Sequence, residues 1–408
     1  MDKKIIVAVD FGNNKLSIAV AYKHPDNSLE LIDYRQREFL KLTANGIIQN
    51  PNNILTEINS CLQQIENENN IKIGAYWFGL EPYTLRSEIR SVACKYNGNI
   101  VESIKQLENE VGQSVVADNR KILVSEMLST KQGANMQGDF LVVSTTDDVK
   151  RQIEKIINNF STERKVQFKL SPMVEAGVFL SDAQKEVGTL LIDFGADVTS
   201  FTIYREGMPC FIAVLPVGGQ HITQDIAVRF GLEFKIAEQL KIELGIASAD
   251  FVTEDKHYSI QQTVKLSLIE LVNTIEARQC EIIDFIMSEI DRQGLSSHYE
   301  TIVVTGGASN LKFLPELLQK QTDKQVIKLF EKNLQKGDKI LDNTLLIALL
   351  QHINDDCRAI AKEKPSETFN AASTQKPVNQ SNKPKKSFWN KFSGVADMFN
   401  EENEKPIS

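Results

Sequence analysis

Two stretches of the chain share one pattern, an apolar strand that ends in Asp-Phe-Gly and is followed by a second strand. Residues 5–20 read IIVAVDFGNNKLSIAV, and residues 188–203 read GTLLIDFGADVTSFTI. In each stretch the carboxylate at the strand end, Asp10 or Asp193, can hold Mg²⁺ through water, and the glycine lets backbone N–H groups approach phosphate oxygens. Two such turns that face each other across a cleft predict a nucleotide clamp.

A single Asp-Phe-Gly turn between apolar strands is often only a hairpin. The chain, however, repeats the turn and then adds a third segment, residues 302–310, which read IVVTGGASN. A strand that ends in Gly306-Gly307 before a helix lets the backbone pass close under a flat base, because no Cβ blocks the approach. The alternative for this segment alone is a glycine turn between a strand and a helix. Together, the three segments favour the clamp.

In this order the segments resemble the actin-like ATPase superfamily, which also includes the sugar kinases and the heat-shock chaperones. The resemblance implies an α/β, actin-like (ribonuclease H-like) two-lobed fold. Residues 237–241, which read AEQLK, are similar to the helix whose acid and lysine reach the ribose and base in that superfamily. An exposed ion pair is the commoner meaning of this spacing when it occurs by itself.

The resemblance gives each matching position a role in binding ATP and Mg²⁺, with Asp10 and Asp193 holding the metal through water. The first phosphate loop comprises Asp10, Gly12, Asn13, Asn14 and Lys15; the second comprises Asp193, Gly195, Ala196, Asp197 and Thr199; a glycine turn near the terminal phosphate comprises Gly218 and Gly219; the ribose helix supplies Glu238 and Lys241; and the adenosine loop comprises Gly306, Gly307 and Ala308. No catalytic residue is assigned.

The chain departs from the superfamily pattern in two places. The second loop usually reads Asp-x-Gly-Gly-Gly-Thr, but Ala196 and Asp197 replace the later glycines, which narrows the turn and adds a negative charge near the phosphates. Ser171 precedes Pro172 where active filament ATPases of similar pattern carry a water-orienting acid. Without that acid the attacking water is poorly held, so we expect ATP to serve mainly as a switch or structural ligand and to be hydrolysed slowly.

Composition limits the other classes of function. The 408 residues are enough for two domains, and 46 basic against 54 acidic residues argue against nucleic acid as a main partner. Five scattered cysteines with no C-x-x-C pair predict neither a zinc site nor a disulfide framework and fit a reducing cytosol. The sequence shows no secretory signal and no apolar run of about 18 residues, so a cytoplasmic protein is expected.

The order of predicted elements divides the chain into segments. The predicted boundaries are 1–81 for the first half of lobe I, 82–168 for an inserted α+β subdomain with helices at 101–116 and 147–160, 169–187 for the crossover helix, and 188–361 for lobe II, with capping helices over about 225–300. The position and pattern of the insertion resemble those of the FtsA family of bacterial cell-division proteins, which carry such a subdomain in place of one of actin's outer subdomains.

The last 47 residues of the chain, beyond Ala361, change in composition. Residues 362–384 contain few large apolar side chains and predict a disordered linker. Residues 385–400 predict an amphipathic helix that lies in a membrane interface; an alternative is a helix that docks on the body of the protein or on a partner. The residues that form its apolar stripe and basic flank are Lys385, Lys386, Phe388, Trp389, Lys391, Phe392, Val395 and Phe399.

The resemblance to the FtsA family covers nearly the whole chain and implies an ATP-binding cytoskeletal protein that polymerises and anchors the division ring to the membrane. The implied partners are FtsZ (the tubulin-like division protein), further copies of the chain, other division proteins and the anionic cytoplasmic face of the plasma membrane. A pilus-assembly protein of the PilM type shares the fold and insertion but lacks the long tether. A sugar or acid kinase would need a carboxylate base beside a substrate pocket, and an actin-type chaperone would need a further peptide-binding domain.

Overall fold

The computed structural model describes residues 3–39, 41–117, 120–161, 163–260, 264–329, 334–336, 339–341 and 343–359. Residues Met1–Ala359 form one compact unit. The predicted linker (362–384) and amphipathic helix (385–400) lie outside the described residues. Among the helices that are described, none is both long enough and apolar enough to cross a bilayer.

The described chain contains both strands and helices. The strands are β1 (Lys4–Phe11), β2 (Lys15–Lys23), β3 (Leu29–Glu38), β4 (Thr43–Ala44), β5 (Ile47–Ile48), β6 (Ala75–Leu80), β7 (Arg86–Lys95), β8 (Arg120–Gln132), β9 (Asn135–Thr146), β10 (Lys165–Leu170), β11 (Thr189–Phe194), β12 (Thr199–Arg205), β13 (Met208–Leu215), β14 (His257–Ile260), β15 (Val264–Ser267), β16 (Thr301–Thr305), β17 (Gln325–Lys328), β18 (Leu334–Lys336) and β19 (Lys339–Leu341). The α-helices are α1 (Pro51–Asn69), α2 (Ile100–Ala117), α3 (Asp147–Phe160), α4 (Ser171–Phe179), α5 (Asp182–Val187), α6 (Gly219–Phe230), α7 (Phe234–Leu244), α8 (Leu268–Arg292), α9 (Leu314–Thr322) and α10 (Thr344–His352).

Lobe I is built on a five-stranded sheet of order β10-β6-β1-β2-β3. Residues 5–9 of β1 form a continuous buried run, the pattern of a strand covered on both faces. Helix α1 begins with Pro51 and turns its buried residues Ile54, Ile58 and Leu62 inward at helical spacing. Helices α4 and α10 pack against each other and against this lobe.

Lobe II is built on an eight-stranded sheet of order β17-β16-β11-β12-β13-β7-β9-β8. Strands β11 and β16 are parallel neighbours, with Asp193 level with Thr305. The strand that carries the second Asp-Phe-Gly turn therefore lies directly beside the strand that ends in Gly306-Gly307. The order of the strands brings together two of the three segments that the sequence singled out.

The inserted segment contributes β7, β8 and β9 to the lobe II sheet and carries both predicted helices, which are found as α2 and α3. Its link to β13 is a single bridge between Arg86 and Ala213, supported by the Ser87 hydroxyl, which donates to the Ile212 carbonyl at 2.9 Å. A separate small core beneath α2 includes Leu107 and Phe140. The chain then returns through β10 to the lobe I sheet.

Candidate functional site

The two Asp-Phe-Gly turns form hairpins with the same register. In the β1–β2 hairpin Asp10 pairs with Ser17, and in the β11–β12 hairpin Asp193 pairs with Ser200. Each aspartate is therefore seven residues before its partner, one position before the end of its strand. The repeat seen in the sequence is a repeat of backbone geometry.

Both hairpins need glycine at the same point for the same reason. A Cβ placed on Gly12 would lie 3.2 Å from the Lys15 carbonyl oxygen, and one placed on Gly195 would lie 2.7 Å from the Val198 carbonyl oxygen. The chain turns back so closely that a side chain would meet backbone three residues later. The tighter of the two turns is the one in lobe II.

The third glycine segment presses against the second hairpin. Gly306 has a φ of 88°, and a Cβ there would lie 1.9 Å from Asp193 Oδ1 and 2.6 Å from the Phe194 carbonyl oxygen. Only glycine fits this left-handed conformation and this contact. At Gly307 a Cβ would meet no described residue within 4 Å, so the second glycine of the pair is not crowded by the described part of the chain.

Asp10 and Asp193 meet in one cluster of carboxylates. Burial raises the pKa of Asp10 to about 6, although a hydrogen bond from the Asn343 amide opposes the rise. Burial also raises the pKa of Asp193 to about 6; a hydrogen bond with the Glu175 carboxyl opposes the rise, and the charge on Asp10 adds to it. The two side chains from the two lobes therefore act on each other directly.

Two further acids, Glu81 and Glu175, belong to the same cluster, and the sequence analysis missed both. Burial, and then the charge on Asp193, raise the pKa of each well above its ordinary value. A signal for each is present in the sequence: Glu81 directly follows the apolar strand β6, and Glu175 is the one charged residue of the apolar helix α4. Neither signal says which other acids the side chain will face.

The cluster suits a hydrated cation. Oδ1 of Asp193 and Oε2 of Glu81 are buried without a hydrogen-bond donor in the described part of the chain. Such oxygens are costly to bury unless a cation or water satisfies them. Among the described residues no three His, Cys, Asp or Glu side chains are arranged to ligate a metal directly. A metal held through its water shell fits both observations.

The second phosphate loop is fastened at both ends. The Gly219 amide at the start of α6 donates to the Gly195 carbonyl at 2.9 Å, and the next amide donates to the Ala196 carbonyl at 2.8 Å. The Thr199 side chain is fully buried, and its hydroxyl donates to the Val217 carbonyl at 2.8 Å. The loop and the first turn of α6 therefore form one rigid corner, and the Thr199 hydroxyl serves that corner.

A hydrogen bond crosses from this loop to lobe I. The Gly46 amide, between β4 and β5, donates to Asp197 Oδ2 at 3.2 Å. Asp197 replaces a glycine of the usual pattern, and one of its carboxylate oxygens accepts this hydrogen bond. Ala196 beside it is exposed.

The segment that follows β3 holds the backbone of the first phosphate loop in place. The Asn13 carbonyl accepts from the Leu42 amide at 2.6 Å, and the Asn14 carbonyl accepts from the Phe39 amide at 2.8 Å. The Asn13 side chain is buried, whereas Lys15 opens β2 with an exposed side chain. The loop backbone is therefore fixed while the lysine remains accessible.

The predicted ribose helix is α7, and it meets the glycine turn and the adenosine loop. Lys241 Nζ donates to the Gly219 carbonyl at 2.8 Å and pairs with Glu238 at 2.8 Å. A Cβ on Gly219 would lie 2.9 Å from the Ala308 Cβ, and Gly218 is buried with extended backbone against Ala196. The positions that the resemblance assigned to ribose and adenine are thus neighbours.

The fold is that of the actin-like proteins. One chain of the PilM–PilN type IV pilus biogenesis complex matches with a TM-score of 0.58 and 15% identity, covering 79% of this chain and 87% of that one. MreB5 of Spiroplasma citri bound to AMPPNP matches with a TM-score of 0.51 and 13% identity, covering 86% and 95%. The two-lobed α/β architecture predicted from the motifs is confirmed.

Within this class the sequence is similar to one particular protein. A model described as cell division protein FtsA matches residues 190–343. FtsA of Pseudomonas aeruginosa is 23% identical, covering 78% of this chain and 80% of its own, and FtsA of Escherichia coli K12 is 22% identical over 80% and 84%. FtsA of Bacillus subtilis is 30% identical over 155 residues, covering 37% and 35%. The chain therefore has the actin-like fold and is similar in sequence to FtsA, and the predicted resemblance is confirmed.

Proposed function

We propose that this chain is an ATP-binding, actin-like cytoskeletal protein of bacterial cell division. The observation that carries the proposal is the meeting of Asp10 and Asp193, from two hairpins of equal register, in one buried carboxylate cluster beside Gly306. The sequence similarity to FtsA is the reason for proposing a role in cell division. Weak ATP hydrolysis is expected.

In this proposal each group near the cluster has one task. Asp10 and Asp193 hold the water shell of Mg²⁺, whose charge, when the ion is bound, offsets that of the carboxylates and the phosphates. Backbone amides of the two hairpin loops lie against the phosphates. The nucleoside binds in the corner formed by Gly219, α7 and Ala308.

Titration calorimetry with ATP and Mg²⁺ tests the nucleotide site. We expect Asp193→Asn and Asp10→Asn each to weaken ATP affinity at least about tenfold, because the metal loses a charged partner. Asp139→Asn is the matched control: this aspartate accepts hydrogen bonds from Ser91 and Ser129 in the inserted segment, and affinity should not change. Absence of ATP binding to the unmodified chain would overturn the proposal.

We further propose that the chain polymerises and binds the cytoplasmic membrane through residues 385–400. A fully buried large apolar side chain contributes roughly 1.5–3 kcal/mol and a lysine near anionic lipid about 1 kcal/mol, but partial burial and helix ordering reduce the sum. One anchor is therefore weak, whereas a row of anchors on a filament binds firmly because the local concentration is high.

Co-sedimentation with anionic liposomes, with and without ATP, tests the anchor. A chain that ends at Ala361 should stay in the supernatant, and so should Phe392→Glu and Trp389→Glu. Asn390→Glu adds the same charge on the opposite side of the predicted helix and should pellet like the unmodified chain. Equal pelleting of all these chains would contradict the anchor.

FtsZ is the proposed partner at the division site, and a pilus partner is the second candidate. The second candidate is favoured by one observation, the likeness of the fold to a chain of the PilM–PilN complex. Binding of purified FtsZ and of purified PilN, measured side by side on the immobilised full chain, separates the two. We expect FtsZ to bind and PilN not to bind; the reverse result would favour the pilus function.

A further inference from the structure

Glu175 is a buried acid that contributes nothing evident to the stability of the fold. It lies in the middle of α4, its residue is 1% exposed, and its helix neighbours Val174 and Ala176 are buried apolar residues. Neither of its carboxylate oxygens accepts a hydrogen bond from a backbone, amide or basic group in the described part of the chain, and the group that its carboxyl faces is another acid, Asp193. An acid in this position weakens the fold relative to an uncharged side chain of the same size.

Another buried glutamate of lobe I shows what a structural role looks like. Glu66 in α1 is 8% exposed, and its Oε1 accepts from the Ile73 amide at 2.7 Å while its Oε2 pairs with Arg164 at 3.3 Å. Every part of that carboxylate is used within the fold. The contrast indicates that the partner of Glu175 is a group that enters the site from outside.

The placement of Glu175 follows from the packing of the first turn of α4. Ser171 Oγ lies only 2.6 Å from the position that a Cβ on Gly79 would take, so the helix start is pressed against β6. Residues four apart share a side of a helix, and Glu175 therefore lies one turn beyond Ser171 on a similar side, where its carboxyl faces Asp193. The side chain reaches the carboxylate cluster from a position at which no acid was expected.

We propose that Glu175 orients the water that attacks the terminal phosphate of ATP, and this inference rests on the proposed nucleotide site. In the reaction the water oxygen forms a bond to the γ-phosphorus while the bond from that phosphorus to the β–γ bridging oxygen breaks and ADP leaves. Of the two water protons, one stays on inorganic phosphate and the other passes to the Glu175 carboxylate and then to solvent. The acid stands one helical turn from Ser171, in keeping with slow hydrolysis.

Glu175→Gln, compared with Glu66→Gln, tests the inference with three measurements. For Glu175→Gln we expect single-turnover hydrolysis to fall at least about tenfold because the proton acceptor is lost, ATP affinity by calorimetry to change less than threefold, and the melting temperature of the ligand-free chain to rise by about 2 °C or more. Glu66→Gln should lower the melting temperature and leave hydrolysis by folded protein unchanged. If Glu175 had only a structural role, its replacement by glutamine would not lower turnover while leaving ATP affinity nearly unchanged.

The outcomes distinguish this inference from the proposed function. If the unmodified chain binds ATP but Glu175→Gln hydrolyses it as fast, or if the unmodified chain shows no hydrolysis, the role of Glu175 is overturned and the nucleotide site stands. A lower melting temperature in Glu175→Gln would also count against it. If the unmodified chain does not bind ATP, the proposed function itself fails.

Discussion

The two hairpins have the same backbone, yet their aspartates have different neighbours. Asp10 accepts a hydrogen bond from the Asn343 amide at 2.8 Å, and Asn343 also caps α10 by accepting from the Leu346 amide at 2.9 Å. Asp193 instead faces the Glu175 carboxyl and lies against the α-carbon of Gly306. Asp10 is supported by an amide donor, whereas Asp193 is supported by a second carboxyl, which can donate only while it is protonated.

This difference teaches that a repeated motif does not fix a repeated role. The lobe I hairpin is coupled through Asn343 to α10, near the end of the described chain. The lobe II hairpin is coupled to α4 and to the predicted adenosine loop. We expect changes to the neighbours of Asp193 to affect nucleotide chemistry most, and changes to Asn343, the neighbour of Asp10, to act mainly on the free energy of unfolding.

The largest effect is expected at Gly306. Gly306→Ala places a Cβ 1.9 Å from Asp193 Oδ1 in a left-handed conformation, so the lobe II hairpin must move. We expect a loss of at least about 3 kcal/mol in the free energy of unfolding, measured in urea, together with loss of ATP binding. Gly307→Ala is the control, because a Cβ there meets none of the described residues within 4 Å; equal destabilisation by both changes would contradict this account of the loop.

Acidity should act on both aspartates in the ligand-free chain. Each has a folded pKa of about 6 against an ordinary 3.8, so between these values the folded state binds more protons than the unfolded state. The free energy of unfolding contributed by these groups therefore falls as the pH rises from about 4 to about 6, by on the order of 2 kcal/mol for each group.

Urea unfolding in EDTA across this pH range measures the effect. Asp10→Asn removes one titrating group, so it should equal the unmodified chain at pH 4 and exceed its stability at pH 7. Adding ATP and Mg²⁺ should reverse the trend, because the cation then stabilises the charged form. A stability that rises from pH 4 to pH 6 in both chains would contradict the shared carboxylate cluster.

How much of this site was predictable depends on where each residue's partners lie. Asp10, Asp193 and Gly306 could be selected from the sequence because each lies close to the end of an apolar strand, and strand ends can be predicted from the local pattern. Glu175 and Asn343 were not found, because their importance arises from contacts between elements distant in sequence. The hydrogen bond from the Thr199 hydroxyl to the Val217 carbonyl was also not predictable from local pattern, because only the packing of lobe II brings these two residues together.

A smaller effect is expected at Asn343, which has two separable contacts. Asn343→Ser keeps a helix-capping oxygen but removes the donor to Asp10, and Asn343→Ala removes both. We expect the serine variant to cost about 1 kcal/mol and the alanine variant about 1 kcal/mol more. The serine variant should also raise the pKa of Asp10 further, seen as an upward shift of the pH dependence above; equal stability of the two variants would contradict the capping role.

The smallest effect is expected at Asp197, which occupies the place in the second loop that Asn14 occupies in the first. Asp197→Asn keeps an oxygen for the Gly46 amide but removes a charge near the proposed phosphate site, and so makes the two loops alike at this position. We expect stability to change by less than about 0.5 kcal/mol and ATP affinity to rise a few-fold. Asp197→Ala should give the same gain in affinity with a further loss of up to about 1 kcal/mol from the missing hydrogen bond. If affinity falls in both variants, the Asp197 charge helps the nucleotide site, and the two loops differ by function as well as by sequence.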